Sequence, residues 1–185
     1  MSAHCVRLDL SNRGDMETFQ RIQYRGHQLT PEADGEQGPI WLAYLRQVAR
    51  EAPPLGVYAM VDQQRHPLAV AALTEDQHGA GGLYGVPGPW LAAAHVFAPY
   101  RRSGLHRHLI GSRLDALRQA GIEAANVAVF TTNRRSMINL LQAGFQPVGL
   151  GPDLDPEGSR SDTAVFMHLP LPAASTEFAH AAPRQ

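Results

Sequence analysis

The sequence predicts an α/β (α+β) domain, a mixed and mostly antiparallel sheet flanked by about four helices. Three observations predict it. Residues 90–111, WLAAAHVFAPYRRSGLHRHLIG, read as a buried apolar strand, a basic turn with a glycine, and an amphipathic helix. Residues 57–73 hold two apolar runs around a polar turn at Gln63 to His66, the pattern of a hairpin or tight meander. A second strand–helix–strand unit follows from Asn126 to Val148.

The first elements follow from local pattern. Val6 to Leu10 alternates apolar and polar residues and predicts a strand. Ser11 or Asn12 caps the next helix, marked by Met16, Phe19, Gln20, Ile22 and Gln23 and ending near Arg25 and Gly26. Residues 27–39 are polar, with two prolines and two glycines, and read as loop. Pro39 suits the first turn of a second helix, whose apolar face carries Trp41, Leu42, Leu45, Val48 and Ala49, with Tyr44 on or near it. That helix ends before Pro53 and Pro54. Tyr58 to Val61 and Leu68 to Leu73 are the next strands. Residues 74–89 hold five glycines and two prolines, which exclude a helix or a long strand. They lack the spacing and the lysine of a P-loop. A mobile flap and an uneventful surface loop are both open readings, with His78 and Tyr84 its chemical groups.

Leu91 to Ala98 is short, small and apolar, as in a strand buried on both faces. Pro99 has no N–H for a ladder, so pairing stops near it. Leu105, Leu109, Ile110, Leu114 and Leu117 recur on one side of a 3.6-residue period. Asn126 to Phe130 is a buried strand. Arg134 to Gln142 is a short helix with Met137, Leu140 and Leu141 inward, and Gly144 suits its C-terminal cap. Phe145 to Val148 opens another strand, residues 150–162 are loop, and Ala164 to Leu169 is the last strand. Residues 170–185 lack any period and read as a disordered tail, so one domain occupies 1–169.

Bulk properties narrow the function classes. A chain of 185 residues suffices for one domain with a substantial core. It is 44% hydrophobic and 18% charged with formal net charge -1, a soluble composition without the global basic field of nucleic-acid binders. A single cysteine, Cys5, excludes an intrachain disulfide and a thiolate metal cluster, and no metal is expected. The first residues do not read as a signal peptide, and no apolar stretch reaches spanning length. The expected location is the cytoplasm.

The turn at residues 101–104 carries the chemistry. A strand feeding a helix leaves the first-turn amides free, and these with the aligned peptide dipoles favour an anion. Gly104 lets the backbone approach it. Arg101 and Arg102 add charge and forked donors for phosphate oxygens. A surface turn that happens to hold two arginines and a glycine is the plain alternative.

This stretch resembles the acyl-CoA-binding motif of the GCN5-related N-acetyltransferase (GNAT) superfamily, in which a strand is followed by R-x-x-G-x-G/A opening a helix. Arg101, Gly104 and His106 occupy the three key positions, with Phe97 and Pro99 upstream. His106 departs from the small residue of the motif. Asn133, Ser136, Gly144 and Phe145 match the second family element, N-x-x-A/S on a short helix and then G-F. The two elements span about 91–149, with weaker similarity over 6–169.

The resemblance implies central strands that splay near Phe97 and Phe130 and admit the pantetheine arm of CoA as an added strand. It implies a pyrophosphate on the amides of 102–106 and a thioester beside the backbone of Val96 or Phe97, where an N–H stabilises oxyanion charge. The cofactor-binding candidates are Val96, Phe97, Arg101, Arg102, Ser103, Gly104, Leu105, His106, Asn133 and Ser136. Asn133 contacts pantetheine, caps its helix, or does both.

The implied reaction is transfer of an acyl group, in the first instance acetyl from acetyl-CoA, to a primary amine of a small molecule within a ternary complex. His95 is the first candidate base; its alternative role is a histidine on the other sheet face. Glu75 and Asp76 are the alternative base or amine anchor, or else a solvated turn. Asp34 and Glu36 in the first long loop would face a cationic amine, or else belong to a solvated loop. The family often places a tyrosine acid where this chain has Leu140, so Tyr84 or water would replace it; a thiolate, pKa about 8.5, leaves readily. A non-catalytic acyl-CoA-binding or sensing domain is the second reading. A nucleic-acid-associated regulator, supported by residues 101–107 and by Arg134 and Arg135, is the third. The resemblance also admits a homodimer.

Overall fold

The computed structural model describes residues 2–29, 37–75, 88–152 and 163–171, and among these the apolar runs separated by polar breaks settle into seven strands and four helices. In chain order they are β1 (His4–Arg7), α1 (Arg13–Leu29), α2 (Gln37–Val48), β2 (Gly56–Val61), β3 (Pro67–Thr74) and β4 (Trp90–Val96). A single 3-10 turn, Ala98–Tyr100, leads to α3 (Leu105–Gln119), β5 (Ala124–Phe130), α4 (Arg134–Gln142), β6 (Gln146–Pro152) and β7 (Thr163–Pro170). The sheet order is β1-β2-β3-β4-β5-β7-β6. Every neighbouring pair is antiparallel except β4 and β5, which run parallel. Those two share one paired position, Trp90 opposite Asn126, and then part. The expected splay is therefore present.

Helices cover both faces. The stripe Leu105, Leu109, Ile110, Leu114 and Leu117 of α3 packs with Leu140 of α4 on Leu73, Leu91, Val127 and Val165. On the other side Phe19 and Ile22 of α1 and Leu45 and Val48 of α2 meet Val57, Ala59, Val70 and Ala72. β2 and β3 are buried along their whole length, which explains runs without polar alternation. Each such large apolar side chain contributes about 1.5–3 kcal/mol on full burial.

Several boundaries differ from the sequence reading. β1 ends at Arg7 and not at Leu10: Leu8 still donates its N–H to Val57 O at 2.8 Å, but Asp9 then takes the Ser11 N–H at 2.9 Å and turns the chain. Of the two cap candidates, Asn12 is the one used, its Oδ1 accepting from Gly14 N at 2.9 Å and Asp15 N at 3.2 Å. α1 runs through Gly26 to Leu29, and α2 starts at Gln37, so both helices take residues from the expected loop. A glycine costs a helix interior only about 1 kcal/mol, which docking of Phe19 and Ile22 exceeds.

β6 extends to Pro152, three residues into the expected loop, because Leu150, Gly151 and Pro152 pair with β7. Leu141 is 47% exposed and Leu140 only 2%, so the inward face of α4 is Met137 and Leu140 alone. Leu171 donates its N–H to Glu123 O at 2.7 Å and buries its side chain, so the domain takes in residues 170 and 171 of the expected tail; residues 172–185 lie outside the described residues. So do Asp34, Glu36, Asp76, His78 and Tyr84. Gly144 behaves as expected: with φ +98°, it lets Phe145 N–H reach Leu140 O (3.1 Å) while its own N–H reaches Leu141 O (3.0 Å).

One buried group has no counterpart in the sequence reading. Arg113 of α3 is 1% exposed and donates Nε to Leu109 O at 3.0 Å and Nη1 to Ala72 O at 2.7 Å. Burial pulls its pKa down to about 10, so it remains a cation at neutral pH. Among the described residues it faces carbonyls and no carboxylate. Arg113→Ala should lower stability by about 3 kcal/mol through a cavity and unmet carbonyls, and Arg113→Met, which refills the volume, by about half as much. Urea midpoints of the two variants check the order.

Candidate functional site

The site begins with an irregularity in β4. Val70 pairs with His95 and Ala72 with Ala92, so Ala71 faces two residues, Ala93 and Ala94. Ala93 takes up the extra residue at φ +47°. A bulge of this kind resets which face later side chains point to. Before it, Leu91 packs on the α3 side and Ala92 on the α1–α2 side. After it, Val96 packs on the α3 side and Phe97 on the α1–α2 side. His95 goes with Phe97: its ring meets that of Phe97 at 5.3 Å and that of Trp41 on α2 at 6.0 Å, both edge-on. Simple alternation from Leu91 would have put His95 on the opposite face.

Past the strand, the chain makes the turn that the arginines announce. Phe97 donates its N–H to Leu68 O (3.1 Å), and Tyr100 and Arg101 close the 3-10 turn on Phe97 O and Ala98 O. Arg102 (φ +69°) and Gly104 (φ +83°) then occupy left-handed conformations in succession with Ser103 between them. A Cβ on Gly104 would meet nothing nearer than Arg107 Nη2 at 3.9 Å, so the conformation, and not space, calls for glycine. The first helical bond is His108 N to Gly104 O at 3.2 Å. Among the described residues, the amides of 102–107 have no backbone acceptor. They form the concave, positively polarised end of a fifteen-residue helix.

These amides border a cleft of about 570 Å³ between the tip of β4, the start of α3 and α4. His95, Val96, Arg101, Arg102, Ser103, Gly104, Leu105, His106, Asn133 and Ser136 all line it. Arg107 and Arg135 join them, so four arginines and no carboxylate border the cleft among the described residues. Arg101 also donates Nε to Val96 O at 3.1 Å, and Ser103 Oγ bonds Tyr100 O. Asn133 Oδ1 accepts from Ser136 N at 3.2 Å, so it caps α4 while lining the cleft.

His106 explains how the motif tolerates a large residue. Its ring turns toward α4, where Asn139 Nδ2 donates to Nδ1 at 2.9 Å. Burial, with the Arg113 charge behind it, pulls its pKa down to about 4. The ring is neutral, and with Nδ1 accepting, Nε2 carries the hydrogen.

Two of the expected site residues stand elsewhere. Phe97 is fully buried and its N–H is engaged by Leu68, so it neither lines the cleft nor offers a free amide. Glu75 follows Thr74, which pairs with Trp90 at the opposite end of β4 from the cleft; it does not line it. Asp76 and Tyr84 lie outside the described residues. Leu140 is core, so the family's tyrosine position on α4 does not face the cleft in this chain. Asn139 was missed by the sequence reading, which named Arg107 and Arg135 only among the basic residues of the nucleic-acid alternative. The i, i+3 spacing of Ser136 and Asn139 was the available signal for Asn139.

The chain shares its fold with the ribosomal-protein-S18-alanine N-acetyltransferase from Escherichia coli (TM-score 0.64, 15% identity, covering 97% of this chain and 100% of that one). It matches a chain of the NatC complex bound to Gag peptide and CoA (TM-score 0.65, 16% identity, 93% and 100% covered). It also matches an acetyltransferase of the GNAT family from Streptococcus pneumoniae (TM-score 0.64, 12% identity, 92% and 100% covered). No protein-family model matches the chain, and neither does any curated protein. The fold is that of the GCN5-related N-acetyltransferases.

The depressed His106 pKa fixes a direction for pH dependence. Its folded value, about 4, lies below the ordinary 6.5, so the unfolded chain binds the proton first. Full stability is present above pH 6.5 and is lost as pH falls toward 4. Between pH 7 and 5 this single group should cost about 2 kcal/mol, and His106→Gln should show a shallower loss over the same range in urea titrations.

Proposed function

We propose that the protein transfers an acetyl group from acetyl-CoA to a primary amine of a small molecule. The observation that carries this reading is the run of amides at 102–107 without a backbone acceptor among the described residues, beside a cleft that reaches the tip of β4 where that strand has parted from β5. The diphosphate of CoA would rest on those amides, with Arg102, Arg107 and Arg135 supplying charge. The pantetheine arm would follow the unpaired edge of β4. Because Phe97 N–H points to β3, the N–H of Val96, one residue earlier, has the opposite direction and faces the gap. Val96 is therefore the donor for the thioester oxygen.

In the reaction the amine nitrogen bonds to the thioester carbonyl carbon and the carbon–sulfur bond breaks. The amine gives up a proton, and the CoA thiolate takes one from water. With Leu140 in the core, α4 supplies no tyrosine for that last step. The same observation favours the second reading, a domain that binds acyl-CoA without turnover. Thiol release from acetyl-CoA across a panel of primary amines separates the two.

Calorimetry with CoA tests the cradle. Gly104→Val forces a β-branched residue to positive φ and should weaken binding about tenfold or more. Arg102→Ala should weaken it by about three- to tenfold. Unchanged affinity in both variants would remove the basis of the proposal.

A further inference from the structure

In the acetyl-transfer reading the donor fills the cleft on the α3–α4 side, and its thioester meets the N–H of Val96 at the tip of β4. The gap between β4 and β5 opens to both faces of the sheet, so the amine comes from the α1–α2 face. What stands on that face at the tip of β4 is what an acceptor meets. His95 lies there between two rings, that of Trp41 on α2 at 6.0 Å and that of Phe97 at 5.3 Å. Tyr100 continues the row and borders the cleft as well.

Arg25 of α1 closes this aromatic row. Its guanidinium carbon lies 5.7 Å from the Phe97 ring centroid and 5.8 Å from that of Tyr100, so the cation rests on two rings. Its Nη1 donates to Pro67 O at the start of β3. The next residue, Leu68, takes the Phe97 N–H on its carbonyl, and Ala69 pairs with Val96. The head of Arg25 is thus fixed beside the strand segment that adjoins Val96. A guanidinium held by its surroundings has little freedom left to lose when a ligand arrives.

Its charge is not answered from within the described part of the protein. Arg13 pairs with Glu17, and Arg65 pairs with Asp15. Among the described residues no carboxylate lies within ion-pair distance of Arg25, and its Nε and Nη2 make no hydrogen bond. With Nη1 engaged on Pro67, those two nitrogens form the side edge of the fork. Their parallel N–H groups match the two oxygens of a carboxylate.

We propose that Arg25 selects the acceptor: Nε and Nη2 bind the carboxylate of an amino acid whose primary amine reaches the thioester at the tip of β4. Phe97 stands between Arg25 and His95, at 5.7 and 5.3 Å from them, so amine and carboxylate are only a few bonds apart. A diamine or polyamine presents a second cation to Arg25 and is repelled. The inference rests on the acetyl-transfer reading and adds the substrate class to it.

The test measures thiol release from acetyl-CoA with free amino acids, the corresponding amino acid amides, and diamines of similar length. Wild-type kcat/KM should favour the amino acids over their amides by about ten- to hundredfold. Arg25→Gln should lower kcat/KM for the amino acids by about the same factor, chiefly through KM, and for the amides by less than about threefold. Calorimetry should show CoA affinity retained. Arg25→Lys keeps the charge without the fork and should fall between the two. A merely structural role for Arg25 would move both substrate series together. Wild-type turnover of amides or diamines equal to that of amino acids, or an equal fall of both series in Arg25→Gln, would overturn the assignment. If Arg25→Gln does not fold, the wild-type comparison and Arg25→Lys decide. Failure of the wild-type protein to bind CoA, or no turnover with any primary amine, would instead refute the acetyl-transfer reading.

Discussion

Everything distinctive about this molecule depends on two parallel strands that pair once and then separate. β4 and β5 meet at Trp90 and Asn126 and share no further register. Unpaired backbone groups inside a protein are costly, so such a gap persists only if the surrounding structure holds it. Three features hold it. The bulge at Ala93 and Ala94 bends β4 away. The 3-10 turn at Ala98–Tyr100 ends that strand early. α3 and α4 then splint the two strand ends from the same side, joined across the cleft by Asn139 and His106.

The bulge also explains the cation in the core. Ala72 and Ala92 flank the irregularity, and their carbonyls turn to Arg113 at 2.7 and 3.5 Å. A buried guanidinium without a carboxylate is an expensive substitute for a regular ladder. Its five donors let one side chain bridge β3, β4 and its own helix. Arg113 thus ties the back of α3 to the same defect whose front edge faces the cleft.

Much of this was legible in the sequence. The α3 stripe, the α4 limits, the hairpin and the turn at 101–104 follow from periodicity and from residues with narrow conformational preferences. What was not legible depends on contacts between distant segments. His95 could not be assigned to a face, because one extra residue opposite Ala71 reverses every later position. Arg113 sits on the inward stripe of α3 but reads as a surface arginine, since only the carbonyls of β3 and β4 give it a place in the core. The Asn126–His168 pair joins residues forty-two positions apart and carries no local motif. The end of β1 failed for a simpler reason: Asp9 fits the alternation but forms a turn.

One consequence of the cleft concerns how it responds to acidity. The imidazole of His106 stays uncharged well below neutrality, so the positive potential at the start of α3 comes from guanidinium groups and amide dipoles. Neither of these titrates in the physiological range. At that amide cradle, attraction for a polyanionic ligand therefore keeps a constant strength on the protein's side.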